Sequence, residues 1–380
     1  VEPTRPTRYL GIGGAPMAEG INLSSGTPDP LLLPPLRDAV QRVVTTSGSW
    51  TTSYLDDPVL PELDGLLRRS WPFEPARLTV VDGALDALSR IVEQVVRLGD
   101  RVAMETPGFP PLIDLLERSG AELIPLAMDD SGILPDSLAL ALALDPVVVF
   151  VQPRAQNPTG ISMSTERCRE LADLLRPHRA LIVEDDHSGD IATGPDVSIG
   201  CHLPDRTVHI RSYSKSHGPD LRIAAVGGAA DVVDPLVSRR MLGPGWTSRL
   251  LQSVLVDLLT DPSAVAAVRR ARSTYAVRSL AVRAGLAGAG VVSTTGDGIN
   301  AWVEVEDERA ALITLAALGV RVSPGSPFIV PGTPAGAGPG GGHHIRVTTG
   351  VLDEQDPEQV AHVISALATA AGCGPTLRGV

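Results

Sequence analysis

The chain has 380 residues, of which 43% are hydrophobic and 20% charged, and its formal net charge is −12. This length and composition exclude a disordered chain and allow a large folded domain together with a smaller one. No apolar run approaches the roughly 20 residues that a membrane span needs, and the net negative charge argues against binding to nucleic acid. We therefore expect a cytoplasmic protein that binds neither a membrane nor nucleic acid.

An N-terminal arm at 1–20, rich in Gly, Pro and Arg, precedes a region in which short apolar runs alternate with helical stretches. This alternation predicts an α/β fold, with a mostly parallel seven-stranded sheet between helices and a site at the carboxyl ends of the strands. The predicted strands lie at 78–81, 102–105, 123–127, 147–151, 180–184, 208–210 and 223–226. The predicted helices lie near 84–97, 110–119, 135–143, 164–175 and 231–241.

Long Ala-rich helices within 246–287 are expected to lead out of this large domain, which we place at 21–287. A smaller C-terminal α+β domain is predicted at 288–380. Its predicted strands lie near 299–305, 320–323 and 344–348, its helices near 307–318 and 356–371, and its Gly/Pro-rich loop at 331–342.

Lysine occurs only once, at position 215, whereas the chain has 31 arginines. A GC-rich genome replaces surface lysines by arginine, but arginine cannot lose its proton and form a Schiff base, so the surviving Lys215 predicts a nucleophilic amine. The hydroxyls of Ser212 and Ser214 and the charge of Arg222 predict an anion pocket beside it and a lowered lysine pKa. A surface lysine in a turn is the alternative. His217 is expected to be a solvated turn residue.

Three further motifs follow predicted strand ends. Gly83 opens a helix whose first amides, at Ala84 and Leu85, are suited to cradle a phosphate. Phe109 is suited to stack on a planar ring, and Asn157 to bind a phenolic oxygen. Each motif also has an ordinary structural interpretation, as a helix start, a core side chain or a turn.

Asp185 ends an apolar strand within the sequence Glu184-Asp185-Asp186-His187. Buried carboxylates need a cationic partner, and a protonated heterocyclic nitrogen would serve. A divalent metal is the rival partner. His187 is the one nearby nitrogen ligand and the chain's three cysteines lie far apart, so we expect no metal site.

Together these motifs resemble the fold-type I pyridoxal-phosphate enzymes, the aspartate aminotransferase superfamily, from about residue 21 to the end of the chain. The landmarks occur in the family's order: Tyr54, Gly83, Phe109, Asn157-Pro158-Thr159-Gly160, Asp185, Ser212-x-Ser214-Lys215, Arg222 and Arg346. The segments 153–160, 185–187 and 218–222 are similar to the aminotransferase-like domain of MocR/GntR-family regulators.

The resemblance implies pyridoxal 5′-phosphate as the cofactor. Lys215 would bind it as a Schiff base and then move the substrate's α-proton, and Asp185 would pair with the pyridine nitrogen. Arg346 would grip the substrate α-carboxylate. The other implied contacts are Asn157 and His187 at the phenolic oxygen, where many members have tyrosine in place of His187; Phe109 on the ring; Gly83, Ala84, Leu85, Ser212, Ser214 and Arg222 at the phosphate; Tyr54 at the neighbouring subunit's phosphate; and Gly26 and Asn157 beside the substrate.

The implied activity is Cα deprotonation of an amino acid, most simply by an aminotransferase in a homodimer with shared active sites. A C–S lyase, a β-eliminase and a racemase share the first step, and the sequence does not separate them. The alternative of another class is the ligand-sensing domain of a MocR-type regulator. About 20 residues precede the family's core, too few for a winged helix, so we expect a freestanding enzyme, although Val1 also permits an excised domain.

Overall fold

The computed structural model describes residues 8, 20–46, 53–294, 296–334 and 342–372. Most of the predicted arm and most of the predicted 331–342 loop therefore lie outside the described residues. The strands are β1 (Ile21–Asn22), β2 (Arg77–Val81), β3 (Arg101–Glu105), β4 (Glu122–Leu126), β5 (Met128–Asp129), β6 (Gly132–Ile133), β7 (Val148–Val151), β8 (Leu181–Asp186), β9 (Thr207–Ser212), β10 (Ala224–Gly228), β11 (Asn300–Val305), β12 (Val320–Arg321), β13 (Ser323–Pro324) and β14 (His343–Thr348).

The helices pack around these strands. They are α1 (Leu36–Thr46), α2 (Pro61–Arg69), α3 (Ala84–Val95), α4 (Pro110–Ser119), α5 (Pro135–Leu142), α6 (Thr165–Leu175), α7 (Ala230–Arg240), α8 (Arg249–Thr260), α9 (Pro262–Gly288), α10 (Glu308–Ala317) and α11 (Pro357–Ala370).

The central sheet has seven strands in the order β2-β10-β9-β8-β7-β3-β4. β10 is antiparallel to both of its neighbours, and the other neighbouring pairs are parallel. All four residues of β7 are buried, as expected of a strand covered by helices on both faces. The predicted fold class is confirmed.

Side chains alternate between the two faces of this sheet, and the faces belong to different cores. In β8, Val183 packs in a core with α3, α4 and α7, whereas its neighbour Ile182 packs in a core with α5 and α6. Asp185 therefore shares the face of Val183. Glu184 and Asp186 share the face of Ile182.

A smaller antiparallel sheet, in the order β11-β14-β13, packs with α10 and α11. The strand predicted at 320–323 is two strands, because β12 pairs with β1 and β13 pairs with β14. Residues 21–22, which the sequence assigns to the large domain, thus pair with a strand of the C-terminal region. The 27-residue helix α9 joins the two parts of the chain.

No single helix among the described residues is long and apolar enough to cross a membrane. The pair α8 and α9, bent by 74° at its break, meets that criterion by length and composition alone.

Candidate active site

Lys215 lies in a turn that directly follows β9. The backbone N–H of His217 donates to the carbonyl of Tyr213 at 2.8 Å, which closes the turn around the lysine. The Nζ atom of Lys215 donates to the carbonyl oxygen of Gly26. Burial of the amine, together with the charge of Arg346, lowers the pKa of Lys215 to about 8. A substantial fraction of this amine is therefore neutral near physiological pH, as a nucleophile or base requires.

His217 is buried, with 3% of its surface exposed, so the expectation of a solvated turn residue is wrong. Its imidazole contacts the ring of Tyr213 edge-on at 5.4 Å and shares a hydrogen bond with the Ser216 hydroxyl at 2.8 Å. The side chain of His217 is buried because the side chains at both ends of the turn, Tyr213 and His217, point into the protein. Burial lowers the pKa of His217.

Asp185 presents one engaged and one unengaged carboxylate oxygen. Gln152 donates its amide to Oδ2 at 2.8 Å, while the buried Oδ1 has no hydrogen-bond partner among the described residues. Burial raises the pKa of Asp185 to about 6. Phe109 lines the same small cleft as Asp185 and Gln152. A buried carboxylate with an open acceptor, beside an aromatic ring, suits a flat cationic heterocycle.

Arg346 is buried in the middle of β14 and is held from several sides. Its Nη1 donates to Asn157 Oδ1 at 3.2 Å, and its Nη2 donates to the Ser24 carbonyl at 2.5 Å and to the Ser323 hydroxyl at 3.0 Å. Gly26 lies against the guanidinium, and a Cβ there would lie 3.1 Å from Nη1. The structure thus brings Gly26, Asn157 and Arg346 together, and their contact with substrate stays a prediction.

The predicted phosphate residues meet at one end of three neighbouring strands. Ala224 of β10 pairs with Ser212 of β9 on one side and with Val81 of β2 on the other. Arg222 precedes that row and Gly83 follows it, so both lie at the same end of the sheet.

Gly83 and Arg222 touch directly. Arg222 donates from Nη2 to the Asp82 carbonyl at 2.9 Å, and a Cβ on Gly83 would lie only 2.8 Å from that nitrogen. Gly83 also has a φ of 103°, which glycine adopts without strain. Ala84 and Leu85 form the first turn of α3, and the Ser212 hydroxyl accepts from the Ser214 N–H at 3.3 Å. Their role at a phosphate stays a prediction.

His187 lies near Lys215 in a half-buried position. Its Nε2 is 3.2 Å from the Ser188 hydroxyl, and its buried Nδ1 has no hydrogen-bond partner in the described part of the chain. Burial, aided by the charge of Lys215, lowers the pKa of His187 to about 4. The imidazole is therefore neutral at physiological pH, with one nitrogen open to a ligand.

Tyr54 is 79% exposed and is not drawn into the cluster formed by the other predicted residues. Its ring contacts Trp246 at 5.9 Å, and the guanidinium of Arg249 lies 4.4 Å from the Trp246 ring. Arg249 also donates to the carbonyls of Asp56 and Asp57, which fixes the segment after Tyr54. An exposed phenol on a fixed segment is available to a second subunit.

Two residues that support Asp185 were not assigned a role from the sequence. Gln152 follows β7 directly; besides holding Asp185, it accepts the Asn157 N–H at 2.9 Å. Glu105, the last residue of β3, accepts the Gln152 N–H at 3.0 Å, and burial raises its pKa to about 8. Their positions at strand ends were the available signal, but neither residue type by itself indicates a cofactor.

Glu184 and Asp186 have partners different from that expected for Asp185. They lie on the opposite face of the sheet, where the Glu184 carboxylate is 2.9 Å from His209 Nδ1 and the Asp186 carboxylate is 2.5 Å from Arg154 Nη2. No group of three or more potential metal ligands occurs among the described residues.

Residues 18–364 match the family model described as aminotransferase class I and II. The chain belongs to the aminotransferase class I and II family. This confirms the resemblance stated above, and membership of this family assigns pyridoxal 5′-phosphate as the cofactor, as predicted. The site fits that group: Asp185 offers an open acceptor, Lys215 a partly neutral amine and Gly83 a close backbone approach.

Relatives within the family include both regulators and enzymes. The vitamin B6 salvage pathway transcriptional repressor PtsJ of Salmonella typhimurium is 32% identical, over 92% of this chain and 80% of its own length. The aminotransferase tdiD of Emericella nidulans is 28% identical, over 77% of this chain and 72% of its own length. The chain is thus similar to proteins of both kinds.

Solved structures share the fold. Kynurenine aminotransferase of Pyrococcus horikoshii superposes with a TM-score of 0.83 at 20% identity, covering 94% of this chain and 91% of that one. The α-aminoadipate aminotransferase LysN of Thermus thermophilus gives 0.81 at 20% identity, covering 96% of each. At this identity the likeness establishes the aspartate aminotransferase-like architecture and leaves the substrate open.

Proposed function

We propose that this protein is a pyridoxal-phosphate-dependent enzyme that deprotonates the α-carbon of an amino acid, most simply as an aminotransferase. The observation that carries the proposal is the environment of Gly26. Its carbonyl accepts from Lys215 Nζ, and its α-carbon packs against the guanidinium of Arg346. A base and a carboxylate-binding group therefore flank one glycine.

When bound, pyridoxal phosphate supplies the electron-withdrawing ring that makes the α-proton of an amino acid acidic. Asp185 would hold the ring nitrogen in its protonated form through Oδ1, and the new cationic partner would keep this carboxylate ionised despite its burial. Asn157 has its side-chain oxygen engaged by Arg346, which leaves its amide nitrogen to donate to the phenolic oxygen. Lys215 Nζ would take up the α-proton and return it.

Arg346 is suited to orient the substrate before that proton moves. Its guanidinium is fixed by Asn157, Ser24 and Ser323, so little side-chain freedom is lost when a carboxylate binds. When Arg346 holds the carboxylate, the bond between the α-carbon and the carboxyl group stays intact, and the bond between the α-carbon and its hydrogen is the one that breaks. This supports proton transfer over decarboxylation.

A homodimer with shared active sites is part of the proposal. Tyr54 and Leu55 are 79% and 95% exposed on a segment that Arg249 holds in place. A tyrosine that reaches a neighbouring subunit's phosphate must be exposed in the single chain. The position of Tyr54 supports this arrangement.

The direct test is incubation of the cofactor-loaded protein with a panel of amino acids, with oxo acids measured by mass spectrometry. We expect an oxo acid from at least one amino acid and none from Lys215→Ala. Arg346→Gln should lower kcat/KM by roughly 100-fold, since charge-assisted hydrogen bonds to the carboxylate are lost. Arg309→Gln, an exposed arginine on α10, is the matched control and should behave as wild type.

The second candidate function is ligand sensing, as in a MocR-type regulator. It is favoured by the 32% identity to a transcriptional repressor over most of this chain. Under this alternative, amino acids change the absorbance of the cofactor-loaded protein but yield neither oxo acid nor ammonia. Pyruvate and ammonia from serine or cysteine would instead identify an eliminase.

A further inference from the structure

A second cavity, of about 330 Å³, lies behind the turn that carries Lys215. Arg211 and Tyr213 line it, and these residues alternate with Ser212 at the end of β9, so the cavity lies on the other side of the sheet from Ser212. Its remaining walls come mainly from α8 and α9. The volume is within the range of small-molecule sites.

Positive charge predominates around this cavity. Arg269 and Arg272 are exposed at its edge, three residues apart on α9, and neither has a carboxylate within ion-pair distance in the described part of the chain. Arg211 is 4% exposed; its Nη1 donates to the Ser70 carbonyl, and its Nε and Nη2 lie 3.6 and 3.7 Å from the carboxylates of Asp186 and Asp196. The positive charge available to a ligand therefore comes from Arg269 and Arg272. Asp190 is the one carboxylate in the lining.

The rest of the lining is apolar. Leu258 and Leu259 come from α8, and Val265 and Val268 from α9. Guanidinium groups at the edge and aliphatic side chains beneath them match a ligand with a carboxylate on an apolar body. The Asp190 carboxylate disfavours a doubly charged anion and so favours a single negative charge.

The cavity also borders the turn that carries Lys215. Tyr213 and His217 line it, and the hydrogen bond between their backbones closes the turn around Lys215. A ligand that packs on these two rings therefore contacts the turn that positions the amine of Lys215. We propose that this cavity binds a small amphipathic carboxylate and that its occupancy is coupled to the environment of Lys215.

Phenylacetate is a suitable probe, with phenylacetamide as its neutral match. Calorimetric titrations use the cofactor-loaded Arg346→Gln protein, so that the carboxylate site of the proposed function does not contribute. We expect phenylacetate to bind and the amide to bind at least tenfold more weakly. Arg269→Gln with Arg272→Gln should weaken phenylacetate binding at least tenfold, whereas Arg270→Gln, on the same exposed stretch but outside the lining, should stay within twofold.

Val265→Trp gives an independent check, because the half-buried Val265 can enlarge into the cavity without entering the core. We expect this variant to keep the wild-type Tm and lose phenylacetate binding. Equal affinity for acid and amide, no detectable phenylacetate binding, or an unchanged affinity in the double arginine variant would overturn the site.

The coupling has its own readout. Phenylacetate should shift the visible absorbance of the lysine-bound cofactor in the Arg346→Gln protein and fail to do so when Arg269 and Arg272 are also replaced. Binding with an unchanged spectrum would overturn the coupling. Failure of the proposed enzyme activity leaves these binding outcomes unaffected, so the two proposals fail separately.

Discussion

Asp185 and its neighbours show how one acidic run serves two faces of a sheet. The sequence indicated that a carboxylate at this strand end needs a cation, and the open Oδ1 of Asp185 agrees with that requirement. It did not indicate that Glu184 and Asp186 find His209 and Arg154, because those partners lie 25 and 32 residues away and their approach depends on sheet packing. Strand alternation was the available signal.

His187 gives a prediction at the residue scale. If the Nδ1–H of His187 donates to the cofactor's phenolic oxygen, this hydrogen bond stabilises the deprotonated form of the lysine-bound cofactor. His187→Phe should therefore raise the pH midpoint of the cofactor's visible absorbance change by roughly one unit. The neutral imidazole, with its pKa lowered to about 4, stays a constant donor across that range. A spectrophotometric pH titration measures the midpoint.

His187→Tyr is the control for that titration, because a phenol restores a donor at the same place. Its midpoint should lie near the wild-type value. An unchanged midpoint in His187→Phe would show that His187 does not meet the cofactor.

At the scale of elements, β8 and β9 are joined by a buried charge network. Burial acts to lower the pKa of His209, but the nearby carboxylates of Asp186 and Glu184, at 3.8 and 2.9 Å from its ring nitrogens, outweigh it and raise that pKa. Burial acts to raise the pKa of Asp186, but the nearby imidazole of His209 and the hydrogen-bonded guanidinium of Arg154 lower it. The protonated imidazole of His209 and the ionised carboxylate of Asp186 thus stabilise one another.

This network gives a pH-dependent contribution to the free energy of unfolding. The His209 contribution is complete below its unfolded pKa of about 6.5 and is lost as pH rises through the raised folded value. The Asp186 contribution is present above its unfolded pKa of about 3.9 and is lost only in acid. The network therefore stabilises the fold most between those two values.

We predict that His209→Gln lowers the free energy of unfolding by about 1–3 kcal/mol at pH 5–6, the usual cost of an unsatisfied buried group. The difference in the free energy of unfolding between His209→Gln and the wild type should become smaller at higher pH. Urea unfolding across pH measures it, and the exposed His202→Gln is the control. A difference that grows with pH would contradict the sign.

The elements themselves were largely predictable. Each strand of the central sheet was found within a few residues, because buried parallel strands read as short apolar runs. The predicted strand at 320–323 was wrong as a single element, since the chain changes partners between Arg321 and Ser323. Partner exchange of this kind depends on β1, a distant two-residue strand that carries no pattern of its own.

At the scale of the whole molecule, the candidate site joins segments from across the chain. Gly26, Lys215 and Arg346 are more than 100 residues apart in sequence, and only the family resemblance placed them in one site. Ser24, Ser323 and Gln152 could not be assigned, because a lone serine or glutamine is common everywhere. The second cavity was equally inaccessible, since its arginines look like ordinary surface residues on a helix.

The proposed homodimer with shared active sites makes a prediction about assembly. Under that proposal, neither the Lys215→Ala homodimer nor the Tyr54→Ala homodimer carries a complete site. A hybrid dimer has one site with both native residues, so it should regain about half of the wild-type activity per dimer. Co-expression with two affinity tags isolates the hybrid, and a hybrid no more active than its parents would contradict a shared site.

The central claim is that the single lysine binds the cofactor. The most direct measurement is borohydride reduction of the purified, cofactor-loaded protein, followed by peptide mass spectrometry and compared with Lys215→Ala. We expect the phosphopyridoxyl mass on the Lys215 peptide, and a visible absorbance band that Lys215→Ala lacks. An unmodified Lys215 after reduction, or a Lys215→Ala spectrum identical to that of the wild type, would contradict it.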